Sequence, residues 1–137
     1  MGLIHLDAGV LIGFLDADDA HHDGARRILD AAGERRDHVA MAASAVAECL
    51  VGPARRGDEA VATVRAFLAR LPIEVLALDE EVAVAAATLR ARHRTLKLPD
   101  ALVIATAQLH GADRLITTDR RWPTARKLGI GNMLERL

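Results

Sequence analysis

The stretch LKLPDALVIATAQLHGADRLITTD, Leu96–Asp119, decides the fold. Pro99 stands where a helix opens and Gly111 where one closes, so Asp100–His110 reads as a helix. Ala101, Leu102, Val103, Ile104, Ala105 and Ala107 leave it apolar around most of its circumference, which requires burial on most sides. The short apolar run Arg114–Thr117 that follows Gly111 is then a strand. A buried helix feeding directly into a strand belongs to a layered α/β protein, and this unit has an acid at each end, Asp100 and Asp119.

The rest of the chain repeats the alternation. Leu3–Leu6 reads as a buried strand, with Asp7 at the turn into a helix marked by Ala8, Leu11, Ile12 and Leu15. Ala25, Ile28, Leu29 and Ala32 mark a second helix, with Gly33 as its expected stop. His38–Ala42 alternates as a strand, after which Ser44 is expected to cap a helix through Leu50 that Pro53 limits. Asp58 is expected to cap a helix striped by Val61, Val64, Phe67, Leu68 and Leu71, ended by Pro72. Ile73–Leu78 reads as a strand, and Asp79 caps a helix with Glu80 and Glu81 first and Arg90, Arg92 and Arg94 last, an order that suits the helix dipole. Beyond Asp119, Pro123 opens a short helix stopped near Gly129, and Ile130–Leu134 is expected as a final strand. Strands separated by helices predict a three-layer α/β/α sandwich with a mainly parallel sheet, as one domain over residues 1–137.

At 137 residues and 51% apolar content the chain can bury a sizeable core. A formal net charge of −1 gives no overall attraction to nucleic acid, so any such role falls to local patches such as Arg26-Arg27, Arg35-Arg36, Arg55-Arg56 or Arg120-Arg121. Each pair also reads simply as a solvated face. The single cysteine, Cys49, excludes an internal disulfide framework and fits a reducing compartment. The N-terminal apolar run lacks a basic leader and is broken by His5 and Asp7, so neither a signal peptide nor a membrane span is expected, and the cytoplasm is the expected location.

In an open α/β sheet ligands bind beyond the carboxyl ends of the strands. Asp7 and Asp119 fall at such ends, and Asp100 opens the helix that leads into the strand before Asp119. Each is also a good cap or turn former. Glu48 stands among Ala45, Val46, Ala47, Cys49, Leu50 and Val51, and is either paired in a site or the one polar point of an exposed face. Carboxylates gathered in one crevice repel unless a cation joins them, and all-oxygen ligation selects Mg²⁺ or Mn²⁺. The histidines lack the spacing of a zinc site.

Asp7 in LDAGVLI, Glu48 in SAVAECL, Asp100 in LPDALVIATA and Asp119 in LITTDRRW together resemble the PIN-domain ribonucleases, specifically the VapC-type toxins of toxin–antitoxin pairs. The resemblance covers essentially the whole chain. It implies a Mg²⁺- or Mn²⁺-dependent endoribonuclease, usually a homodimer, inhibited by a small antitoxin that inserts a segment into the active-site groove. It makes Asp7, Glu48, Asp100 and Asp119 the metal-binding quartet and Thr117 a supporting hydroxyl. Gly9 departs from the pattern, because many members carry serine there. Arg120 and Arg121, next to Asp119, are candidates to hold RNA phosphates. With Phe14, Phe67 and Trp122 as the only aromatics, base stacking is limited and RNA shape must carry recognition. Three rivals stay open: a housekeeping RNA-processing nuclease, a PIN-fold protein that only binds RNA or a partner, and a receiver-like phospho-acceptor module. The last wants paired acids after the first strand and a lysine after a late one, and neither is present.

Overall fold

The computed structural model describes residues 1–137. Strand β1 (Leu3–Leu6) leads through Asp7 into α1 (Ala8–Leu15) and α2 (His22–Arg35). Strand β2 (His38–Ala42) is followed by α3 (Ala43–Arg56) and α4 (Asp58–Leu68), and β3 (Ile73–Leu76) by α5 (Glu80–Arg92) and α6 (Leu98–Leu109). Strand β4 (Arg114–Thr117), α7 (Ala125–Leu128), a 3₁₀ turn (Gly131–Met133) and β5 (Leu134–Arg136) complete the chain.

The five strands form one sheet in the order β3-β2-β1-β4-β5, and every pairing is parallel. Parallel strands need crossovers, and the helices supply them, covering both faces. Consecutive residues Ile4, His5 and Leu6 point to opposite faces and all three are buried, as a doubly covered central strand demands. The expected α/β/α sandwich is therefore present, with its sheet wholly parallel. After β1 the chain builds outward through β2 and β3, then returns to place β4 on the other side of β1. That reversal opens a crevice at the carboxyl ends of β1 and β4. No helix is long and apolar enough to cross a membrane.

Several boundaries differ from expectation. Helix α2 runs past Gly33 and closes at Arg36, whose left-handed conformation (φ 57°) lets its N–H reach Ala32 and Gly33. Helix α3 starts at Ala43, so Ser44 is not its cap, and it continues through Pro53 to Arg56. Its buried stripe is Ala45, Cys49 and Pro53, one turn apart, and packing of that stripe outweighs the backbone bond that Pro53 cannot make. Gly57 rather than Asp58 caps α4. Strand β3 ends at Leu76 because its partner β2 ends opposite it, at Ala42. Helix α5 stops at Arg92, and α6 begins at Leu98, which puts Asp100 in its first turn. The final strand is Leu134–Arg136, since Gly129 and Gly131, both at positive φ, first turn the chain through the 3₁₀ segment. Asp79 caps α5 as expected, accepting the Val82 N–H at 2.9 Å.

Candidate active site

Asp7 is both a cap and a buried acid at the crevice. Its Oδ1 accepts the Ala8 N–H at 2.8 Å, which fixes the start of α1. Its Oδ2 accepts the Thr117 hydroxyl at 2.7 Å, across the seam between β1 and β4. Thr117 Oγ1 in turn accepts the Asp119 N–H at 3.0 Å. One fully buried hydroxyl thus holds the carboxylate after β1 and the backbone of the acid after β4. Burial raises the Asp7 carboxyl above its ordinary value, opposed by these two hydrogen bonds and reinforced by the charges of Asp100 and Asp119.

Asp100 projects from the first turn of α6 into a small cleft shared with Asp119, Lys97, Thr95, Arg121 and Trp122. Partial burial raises its pKa, and the nearby Asp119 raises it further. The indole of Trp122 works the other way: Nε1 is buried with no completed hydrogen bond, yet lies close enough for its dipole to favour the ionised Asp100. Asp119 differs from the other acids. Its partial burial raises the pKa, but the Arg121 backbone N–H, at 2.8 Å from Oδ1, and the Arg121 guanidinium, at 3.3 Å from each oxygen, bring it below the usual range. Arg121 itself is 79% exposed, while Arg120 is exposed and makes no ion pair.

Glu48 lies on the exposed side of α3, on the wall of an adjacent groove that also includes Asp16 and Arg56. It is the single polar point of an otherwise apolar stretch, yet it stays coupled to the crevice. Its pKa is raised by partial burial and then by Asp7 and Asp100. Thr117 thus ties Asp7 to the backbone of Asp119, Asp100 and Asp119 line one cleft, and the charges of Asp7 and Asp100 both bear on Glu48. As the side chains stand, no three of them converge into a finished coordination sphere. Cys49, beside Glu48, is no nucleophile: burial and then the charges of Glu48 and Asp7 push its thiol up to about 12.

Three contributors escaped sequence reading. Lys97, the residue before α6, lowers the pKa of both Asp100 and Asp119 and is their second local cation. Trp122 was legible as an aromatic but not as the partner of Asp100. Arg136, on β5, donates to the carbonyls of Trp122 at 3.2 Å and Pro123 at 3.1 Å, and so clamps the loop that carries Asp119. Only the parallel pairing of β5 with β4 makes that clamp possible, and no local signal announces it.

Comparison with known proteins gives a consistent picture. The family model described as PIN domain matches residues 4–128. Curated protein sequences gave no match. Among solved structures, VapBC2 from Rickettsia felis bound to a promoter DNA fragment is similar with a TM-score of 0.72 at 17% identity, covering 98% of each chain. A toxin–antitoxin complex from Klebsiella pneumoniae matches with a TM-score of 0.69 at 23% identity, over 96% of this chain and 95% of that one. VapC20 from Mycobacterium tuberculosis, a sarcin-ricin loop cleaving toxin, matches with a TM-score of 0.66 at 21% identity, over 82% of this chain and 86% of that one. At these identities the likeness is one of fold.

Proposed function

The chain belongs to the PIN-domain family, and from that premise we propose that it is a Mg²⁺- or Mn²⁺-dependent endoribonuclease, the toxin of a toxin–antitoxin pair. The observation that carries this reading is that Thr117 ties Asp7 to the Asp119 backbone where β1 and β4 end, while Asp100 lines a cleft with Asp119. Three of the four are raised by burial and like charge, and no basic group is bonded to Asp7 or Glu48. That uncompensated charge on oxygen donors fits a hard divalent cation. The fit is one of donor chemistry, with Asp7, Glu48, Asp100 and Asp119 as the residues that would hold the ion.

A bound Mg²⁺ or Mn²⁺ supplies Lewis acidity at the scissile phosphate and lowers the pKa of water there. The chain supplies the rest. Thr117 and the Ala8 N–H fix the orientation of Asp7 and leave each of its oxygens with acceptor capacity. Asp100 and Glu48 would help hold the ion, and a carboxylate of this set would take the proton of the attacking water. Asp119 would help hold the cation, and Arg121, now bonded to Asp119, and Arg120 beside it on the exposed rim are placed to hold an RNA phosphate. The proposed protein partner is a small antitoxin, supported by the toxin–antitoxin complexes of matching fold. An apolar groove lined by Phe14, Leu15, Val64 and Phe67 is suited to receive part of it. A homodimer is proposed on the exposed Val84 and Leu109, which share one surface hollow with Ala85 and are edged by Glu80 and Glu81.

The test is cleavage of a defined single-stranded RNA by purified protein. Cleavage is expected with Mg²⁺ or Mn²⁺, lost in EDTA, and lost in Asp100→Asn with the fold retained. Cleavage that survives EDTA, or that Asp100→Asn retains, contradicts the assignment.

A further inference from the structure

Gly9 and Thr118 compete for one space. Gly9 is the second residue of α1, and a Cβ built on it would run into the Thr118 hydroxyl oxygen and stand 3.4 Å from Thr118 Cβ. All three heavy atoms nearest to that Cβ belong to Thr118. The backbone does not ask for glycine here: the glycines at positive φ are Gly57, Gly111, Gly129 and Gly131, whereas Gly9 lies in ordinary helix. Within a helix glycine costs about 1 kcal/mol relative to alanine. What keeps position 9 bare is the threonine.

The threonine, in turn, is not needed for the fold in any way that hydrogen bonds show. The bonds that tie this turn together run through Thr117 Oγ1 and the Asp119 backbone, the residues on either side of Thr118. Thr118 is half-buried, and its β-branched side chain holds χ1 stiffly, so its hydroxyl stays lodged against Gly9 in the helix turn that Asp7 caps. A hydroxyl borne by residue 9 itself would reach much the same place.

We propose that Thr118 is a positioning residue of the acidic site, whose hydroxyl, packed onto Gly9 beside Asp7, supplies a neutral oxygen that orders the surroundings of the bound cation. Gly9 is bare so that this oxygen can come from the β4 exit instead of from α1. The inference rests on the metal-dependent reading above, and two measurements separate them.

The first is Mn²⁺ affinity by isothermal titration. Outer partners of a metal site are typically worth 10- to 100-fold in affinity, so Thr118→Ala is expected to weaken Mn²⁺ binding by roughly tenfold. Thr118→Ser, which keeps the oxygen, should bind as the parent does, and Gly9→Ser combined with Thr118→Ala should recover most of the loss. The second is melting without metal. Gly9→Ala should lower the melting temperature in the parent and raise it in the Thr118→Ala background, where the clash is gone and helix propensity alone acts. Thr118→Ala binding Mn²⁺ as tightly as the parent, or no recovery in the Gly9→Ser double variant, overturns the role of Thr118. Equal effects of Gly9→Ala in both backgrounds overturn the shared space. Parent protein that binds no Mn²⁺ overturns the metal-dependent reading itself.

Discussion

Asp7, Glu48 and Asp100 share a sign of perturbation that makes a prediction about stability. A carboxyl whose pKa is raised in the fold favours folding fully below its unfolded value, and that contribution is lost as pH rises through the raised value. At neutral pH, without metal, the ionised cluster therefore weighs against the fold. Asp100→Asn should raise the melting temperature by a few degrees at pH 7.5 in EDTA, and the gain should shrink as pH falls through the raised value of the parent carboxyl. His5 acts with the opposite sign. It is fully buried at the centre of the sheet with neither ring nitrogen bonded, and burial, then His110, lowers its pKa from 6.5 to about 4. Its contribution is complete above the unfolded value and is lost as pH falls through the folded one, a window worth roughly 3 kcal/mol. Urea midpoints measured from pH 7 to pH 4 should fall less steeply for His5→Leu than for the parent; equal slopes would remove His5 as the source of acid sensitivity.

Among the elements, the joint between α3 and α4 is the most exacting. Gly57 joins them alone, at φ 116° and ψ 176°, a region open essentially only to glycine. Gly57→Ala should cost about 1–3 kcal/mol, read as a lower denaturation midpoint. The loop after β4 depends instead on a side chain. Arg136→Ala removes both carbonyl contacts behind Trp122 and should loosen Asp119, lowering RNA cleavage more than stability. These joints show where sequence was informative. Asp79 and Asp7 were legible as caps because a cap needs only local geometry. Ser44 and Pro53 misled for the converse reason: burial of the Ala45, Cys49, Pro53 stripe overrode two local signals. Arg136 and Thr118 matter only through β5 pairing and the contact with Gly9, which are tertiary facts.

At the scale of the whole molecule, the order β3-β2-β1-β4-β5 does what no single motif does. Asp7 and Asp119 are far apart in sequence, yet the parallel pairing of β1 with β4 brings the ends of both strands together, and α6 adds Asp100 from the side. Helix–strand alternation announced the layers, and with them the places of Asp7 and Asp119 just beyond strand ends. What the sequence could not show is that Arg121 holds Asp119 while Asp7, Glu48 and Asp100 are left without a bonded cation. If these acids are one cation site, the melting temperature must respond to Mn²⁺. An ion that binds only the folded state contributes about 2.7 kcal/mol at one hundred times its Kd, a rise of several degrees for a chain of this size. The parent should show that rise, and Asp7→Asn, Glu48→Gln, Asp100→Asn and Asp119→Asn should each reduce or abolish it. A parent melting temperature indifferent to Mn²⁺, or a full rise kept by all of these variants, would contradict the account.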